Sequence, residues 1–344
     1  MGIHDPTQRL VLLRGIEVLR TRGSLAEVGR APKERLFRDR YRLGCEVNYG
    51  GSPAVLAVDT KTDLKVVVKF LSTVEEYERQ LSLYRKLKSE YVVRLADSYT
   101  ALRPGQMEAV YSGSAQRGWH LPCIVLEWGE CSLLDYSTRG ILPAVEIKAT
   151  FEALVHIVAF LHARGLAHCG LQPESFRVFE GSHWRLVSLD SCTEVDHMTP
   201  FKLPVCYAAP ELVRELRACR PGRASAALDV WALGTMLWGF YAQQPLHLSE
   251  VEAMAMPLAA VTVEPPMGCI PDPQARTLIR KMLRHEPSER LPSERILKQA
   301  YLAGGLDTFD MESSYGPVQK GQLVMRSMLQ QLRGAVAEGE RRQR

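Results

Sequence analysis

The sequence predicts an α+β fold of two lobes, a small β-rich lobe at about residues 39–127 and a larger helical lobe at about 128–303. Two observations carry this. Between residues 41 and 126 the apolar residues fall in short β-rich runs separated by polar turns. Beyond Gly129, residues Ile147, Phe151, Leu154, Val155, Val158 and Leu161 instead form one stripe at helical spacing. The length of 344 residues agrees, since roughly 100–200 residues per domain implies about two domains or lobes.

Residues 1–38 read as a helical extension, with Leu10, Leu13, Ile16, Val18 and Leu19 on a loose apolar face broken by Gly23 and Pro32. In the small lobe, runs at 55–58 and 65–71 flank the polar turn 59–63, a hairpin pattern. A helix is expected at 74–88, and strands at 92–99, 107–111 and 121–127, with a polar loop at 112–118. In the second lobe the stripe defines a helix ending before Gly165, and further helices are expected at 228–242, 273–284 and 292–302 between Pro- and Gly-rich loops. Residues 304–344 form a C-terminal extension. Its segment 319–337 is amphipathic, with Leu323, Met328, Leu329 and Leu332 on one side, and ends in a basic tail.

Composition excludes several classes. With 46% hydrophobic and 24% charged residues, collagen, coiled-coil rods and wholesale disorder are out. A net charge of +4 is too mild for a nucleic-acid binder. Eight cysteines without a C-x-x-C pair argue against a zinc module or a secreted disulfide framework and for reduced thiols in cytosol or nucleus. The N-terminus lacks an apolar signal region, and Pro6 stands where myristoylation needs Ser or Thr. The longest apolar stretch, 227–241, is too short to span a bilayer and carries Asp229, so a buried helix is expected. Segment 9–22 has the basic periodicity of a mitochondrial presequence, but Asp5, Glu17 and the lack of Ser favour an ordinary helix. The expected place is cytoplasmic, with cytoskeletal or nuclear assemblies as alternatives, and no membrane or nucleic-acid partner.

Five short motifs occur in one order: Val66-Val67-Val68-Lys69, the stretch from Leu166 through His168-Cys169-Gly170-Leu171-Gln172 to Ser175, Leu189-Asp190-Ser191-Cys192, Tyr207-Ala208-Ala209-Pro210-Glu211, and Asp229-Val230-Trp231-Ala232-Leu233-Gly234. The series resembles a eukaryotic protein kinase domain over about residues 38–303, which implies a two-lobed protein kinase-like fold. The resemblance implies a packed, hydrogen-bonded His168, a buried ion pair between Glu211 and Arg290, and an Asp229 that caps the catalytic loop.

At the chemical positions the sequence departs from the family. Kinases place an aspartate where it accepts the proton of the substrate hydroxyl. Gly170 stands there, with Cys169 in place of the preceding arginine, Gln172 in place of the lysine that meets the transferring phosphoryl group, and Ser175 in place of the metal-binding asparagine. A general base alone contributes about 10²–10⁴ in rate. The glycine-rich loop, 43–55, fits its pattern only with an insertion, and Pro53, with no N–H, takes the place of the third glycine. On the helix, Gln80 stands where Lys69 would find its glutamate, with Glu76 one turn earlier as an alternative. Ser191 and Cys192 replace Phe-Gly.

Lys69 and Asp190 remain. They hold ATP and Mg weakly in one reading and are relics in the other, with no cofactor bound. Glu174 reads as surface charge, and a Cys169–His168 nucleophile lacks an orienting third group. Thr193 and Thr199 lie in a short activation-segment equivalent without the usual arginine. Trp119, Trp128 and Trp184 are open between partner contact and partial burial. The expectation is a pseudokinase: not an enzyme, no catalytic residues, and a scaffold binding protein partners through its N- and C-terminal extensions. The alternatives are a nucleotide-gated switch using Lys69 and Asp190, or an atypical Ser/Thr kinase. Oligomeric state is not legible.

Overall fold

The structure is a computed structural model that describes residues 36–100, 121–138, 140–180, 183–199, 207–244 and 265–303. Residues 1–35 of the expected N-terminal extension, the C-terminal extension, the strand at 107–111, the loop at 112–118 and Trp119 lie outside these, whereas Phe37 is buried in the small lobe. Described residues up to Gln299 belong to one compact unit, and the short helix Ala300–Ala303 belongs to a second.

Five antiparallel strands build the small lobe: β1 (Tyr41–Tyr49), β2 (Ser52–Asp59), β3 (Leu64–Phe70), β4 (Leu95–Tyr99) and β5 (Cys123–Glu127), in the order β1-β2-β3-β5-β4. The predicted β2–β3 hairpin is present, with Asp59 paired to Leu64 across the turn. Its period-two pattern sorts the side chains: Ala57, Val66, Val68, Cys123 and Val125 form one apolar face with Phe37 and Tyr41. Val67 and Lys69 therefore project from the other face.

The stretch that departs from the glycine-rich pattern contains a β-bulge. Leu43 pairs with Ala57 but Glu46 with Val55, so Gly44 and Cys45 together oppose Leu56, which bends β1. β1 then turns into β2 through Gly50 and Gly51 alone. Both have positive φ, +69° and +85°, as a tight two-residue hairpin requires.

Helix α1 (Val74–Lys86) starts at Thr73, whose hydroxyl accepts the Glu76 N–H at 3.1 Å, and packs beside β4 and β5. The expected strand at 92–99 begins only at Leu95, because Val92 makes a single parallel bridge to Leu186 instead.

In the second lobe come β6 (Cys131–Ser132), α2 (Leu133–Ser137), α3 (Ala144–His162), β7 (Leu166–Ala167), β8 (Phe176–Phe179), β9 (His183–Leu186), β10 (Thr193–Glu194), β11 (Met198–Thr199), α4 (Pro210–Arg217), β12 (Gly222–Arg223), α5 (Ala226–Ala242), α6 (Pro273–Met282) and α7 (Ser293–Ile296). Helix α3 buries the predicted stripe against α5, which is buried over most of its circumference. Gly234 of α5 lets α6 approach closely: a Cβ there would lie 2.8 Å from a Leu283 methyl. None of the described helices is long and apolar enough to cross a membrane.

Beside its helices the second lobe carries a small sheet of β6, β8 and β9, and β7 pairs with β10. One expectation needs correction. The helix expected at 292–302 is broken after Ile296, where Lys298 N–H turns to the Arg295 carbonyl and Gln299 N–H to that of Ile296. These three-residue closures leave the α-helical register.

Candidate active site

The cleft between the lobes is lined by the outer face of β3, the β1–β2 turn and two loops of the second lobe. Lys69, 3% exposed, crosses the cleft and donates to Asp190 Oδ1. The other oxygen, Oδ2, accepts from the Ser52 hydroxyl at the start of β2. Burial alone would raise the Asp190 carboxyl, but the charge of Lys69 and the hydrogen bonds from Lys69 and Ser52 outweigh it and hold it below its ordinary value.

Loop 189–192 is clamped from α1 by Arg79. Its Nη1 donates to the Cys192 carbonyl at 3.0 Å and its Nη2 to the Asp190 carbonyl. Gln80, next along the helix, is fully buried and donates to Glu76 at 3.4 Å. Tyr84 reaches the Val187 carbonyl at 3.1 Å. The helix thus grips this loop through Arg79 and the segment leading into it through Tyr84, while Lys69 turns to Asp190.

Loop 168–175 is held from below. Asp229, in the first turn of α5, accepts the backbone N–H groups of His168 at 2.7 Å and Cys169 at 2.8 Å, and His162 meets the same carboxylate at 2.9 Å. His168 Nε2 lies 2.8 Å from the Ser188 carbonyl, and its Nδ1 accepts the Gly170 N–H at 3.2 Å. This fixes the neutral tautomer with its proton on Nε2, and burial lowers the pKa of the ring. Cys169 sits at φ +58°, buried, its thiol pushed well up by burial. It is therefore a protonated packing group, and the His168 ring is occupied elsewhere.

At Gly170 an added Cβ would meet the Ser191 hydroxyl oxygen at 3.0 Å and its Cβ at 3.1 Å. Ser175 is fully buried, and its Oγ accepts the Gln172 N–H at 3.3 Å. Gln172 carries its amide to the β1–β2 turn, where a Cβ on Gly51 would overlap Nε2 at 1.6 Å.

The turn itself descends into the cleft. A Cβ on Gly50 would stand 2.5 Å from that of Ser188. Tyr49, fully buried, donates its hydroxyl to the Glu127 carbonyl, at the end of β5. Its ring stacks on Trp128 at 5.9 Å and 28°, and the Arg177 guanidinium lies 4.4 Å from the Trp128 ring centre.

A family model described as a protein kinase domain matches residues 48–302. The chain belongs to the protein kinase domain family. It is 24% identical to CBL-interacting protein kinase 5 of Oryza sativa subsp. japonica, over 79% of this chain and 58% of that protein. It is 24% identical to CBL-interacting serine/threonine-protein kinase 15 of Arabidopsis thaliana, over 83% of this chain and 63% of that protein. Against maternal embryonic leucine zipper kinase of Xenopus tropicalis the identity is 25%, over 50% of this chain and 26% of that protein. The chain thus spans at most about three-fifths of the length of these relatives.

Kinase phosphoryl transfer uses a lysine on the phosphates, metal ions held by an aspartate and an asparagine, and an aspartate base. In this kinase domain both oxygens of Asp190 are engaged, and the hairpin tip meets Ser188 and Gln172. A metal on a bound triphosphate would have to displace Ser52 and Lys69 to reach the Asp190 oxygens. Sequence reasoning brought Lys69 and Asp190 to the site but missed Tyr49, Ser52 and Arg79. The available signal was Asn48-Tyr49-Gly50-Gly51, a tight-turn pattern too short for a phosphate loop.

Proposed function

We propose that this kinase-fold protein transfers no phosphate and serves as a protein-binding scaffold, with 1–38 and 304–344 as its contact segments, in the cytoplasm or in a cytoskeletal or nuclear assembly. The observation that carries this reading is Gly170. The family's mechanism needs a carboxylate there, yet Gly170 has no side chain, and a Cβ added to it would crowd Ser191 at 3.0–3.1 Å. Gln172 and Ser175 support it, one packed under Gly51 and the other engaged with Gln172 N–H.

A second reading, a nucleotide-gated switch, is favoured by the retained pair of Lys69 and Asp190. The names of the relatives describe them as kinases, which keeps an atypical kinase as the third. A phosphate-transfer assay with purified protein, ATP and Mg²⁺ or Mn²⁺ decides. No transfer above a Lys69→Ala control is expected. Transfer that vanishes in that control overturns the reading. The scaffold part is tested by affinity purification with and without residues 1–38 and 304–344, where full partner recovery after both truncations overturns the choice of contact segments.

A further inference from the structure

The β1–β2 hairpin makes, from the protein's own side chains, the contacts that a bound purine nucleotide would need. At the inner end Tyr49 presents a flat ring, a partner for Trp128, and an O–H donor on the Glu127 carbonyl. A heteroaromatic base with an edge N–H donor is chemically equivalent to both. At the outer end the Ser52 hydroxyl and the Lys69 ammonium cover the two oxygens of Asp190, which the family uses to hold a metal on the phosphates. Between them Gly50 and Gly51 rest against Ser188 and Gln172. The bulge at Gly44–Cys45 bends β1 below this tip.

We propose that the β1–β2 hairpin is an intramolecular plug, with Tyr49 and Ser52 as its two latches, that competes with a purine nucleoside triphosphate and its divalent cation for this cleft. The proposal deepens the reading above and rests on it only in taking the cleft as the family's nucleotide site. The plug lowers apparent nucleotide affinity by the fraction of molecules in which the hairpin is lifted, so loosening the latches raises that affinity.

The test is calorimetric and thermal-shift titration of the full chain with ATP and Mg²⁺. Wild type is expected to show no shift at millimolar nucleotide. Tyr49→Ala/Ser52→Ala is expected to gain at least tenfold in affinity, and adding Lys69→Ala should abolish the gain. If Tyr49→Ala does not fold, Tyr49→Phe/Ser52→Ala keeps the ring packing, removes both polar latches and should still gain. Equal affinity in wild type and a folded latch variant overturns the plug, as does a folded variant that binds no better than wild type. Phosphate transfer by wild type would instead overturn the reading of an inactive domain, so the two failures are separable.

Discussion

Arg290 donates two parallel hydrogen bonds to Glu211, Nη1 to Oε1 at 2.6 Å and Nη2 to Oε2 at 2.7 Å. The remaining donors are also used, by the carbonyls of Arg284 at 2.8 Å and of Ala227 and His285 at 3.0 Å, and the guanidinium faces the Trp231 ring. One side chain therefore ties α4, the first turn of α5 and the loop after α6.

Removing one partner of a fully buried pair costs about 3–5 kcal/mol. Arg290 is buried and Glu211 partly exposed, so Arg290→Ala is expected to lose stability toward the lower end of that range in urea denaturation. Arg290→Lys should also be destabilised, because an ammonium cannot make the planar fork. A wild-type midpoint for Arg290→Lys would show that charge alone suffices.

His168 supplies a pH dependence whose sign follows from its neutral state. Burial holds its pKa below the ordinary 6.5 despite the pull of Asp229 and the Ser188 carbonyl. As pH falls through about 6.5, the unfolded chain takes up a proton that the folded ring refuses, so stability falls with it. Above that range the contribution is constant. His168→Asn is expected to be less stable at pH 7 yet to have a shallower slope between pH 7 and 5. Denaturation midpoints across that range check it, and parallel slopes would remove His168 as the source.

Much of the fold was legible because its signals are local and periodic. The β2–β3 alternation, the stripe of α3 and the unbroken apolar run of α5 each name their own element. The ion pair of Glu211 with Arg290 and the cap by Asp229 were legible through the family resemblance. What was not legible depends on tertiary contact. The two-residue strands β6, β7, β10, β11 and β12 have no period to detect. Nothing local in Ser52 points to Asp190, 138 residues away, or in Arg79 to the carbonyls of loop 189–192. The candidate site was thus half read: the departures from the family's catalytic residues are visible in sequence, and the side chains packed around those positions are not.

Gly50 separates backbone strain from packing. It lies at φ +69°, where a side chain costs about 1–2 kcal/mol, and a Cβ would sit 2.5 Å from that of Ser188, which has no flexible end to move. Gly50→Ala is expected to cost more than that strain alone and to perturb Trp128, the stacking partner of Tyr49. Gly165, at the same φ of +69° with nothing within 4 Å of an added Cβ, is the control. Gly165→Ala should lose only the backbone strain, about 1–2 kcal/mol, by thermal denaturation. Equal behaviour of the two variants would mean that the turn does not rest on Ser188.

Restoring one group should not restore catalysis. In Gly170→Asp the new Cβ must displace Ser191 by a few tenths of an ångström, and the carboxylate would still lack a lysine at 172 and an asparagine at 175. A positioned base contributes about 10²–10⁴ in rate only where the phosphates are already held and neutralised. Single-turnover transfer from ATP is therefore expected to stay at background in Gly170→Asp. The same holds for Gly170→Asp/Gln172→Lys/Ser175→Asn while the Tyr49 and Ser52 latches remain. Transfer should emerge only when the latches are removed from that triple variant. Activity in Gly170→Asp alone would show that the missing base is the single barrier and that the hairpin yields to nucleotide unaided.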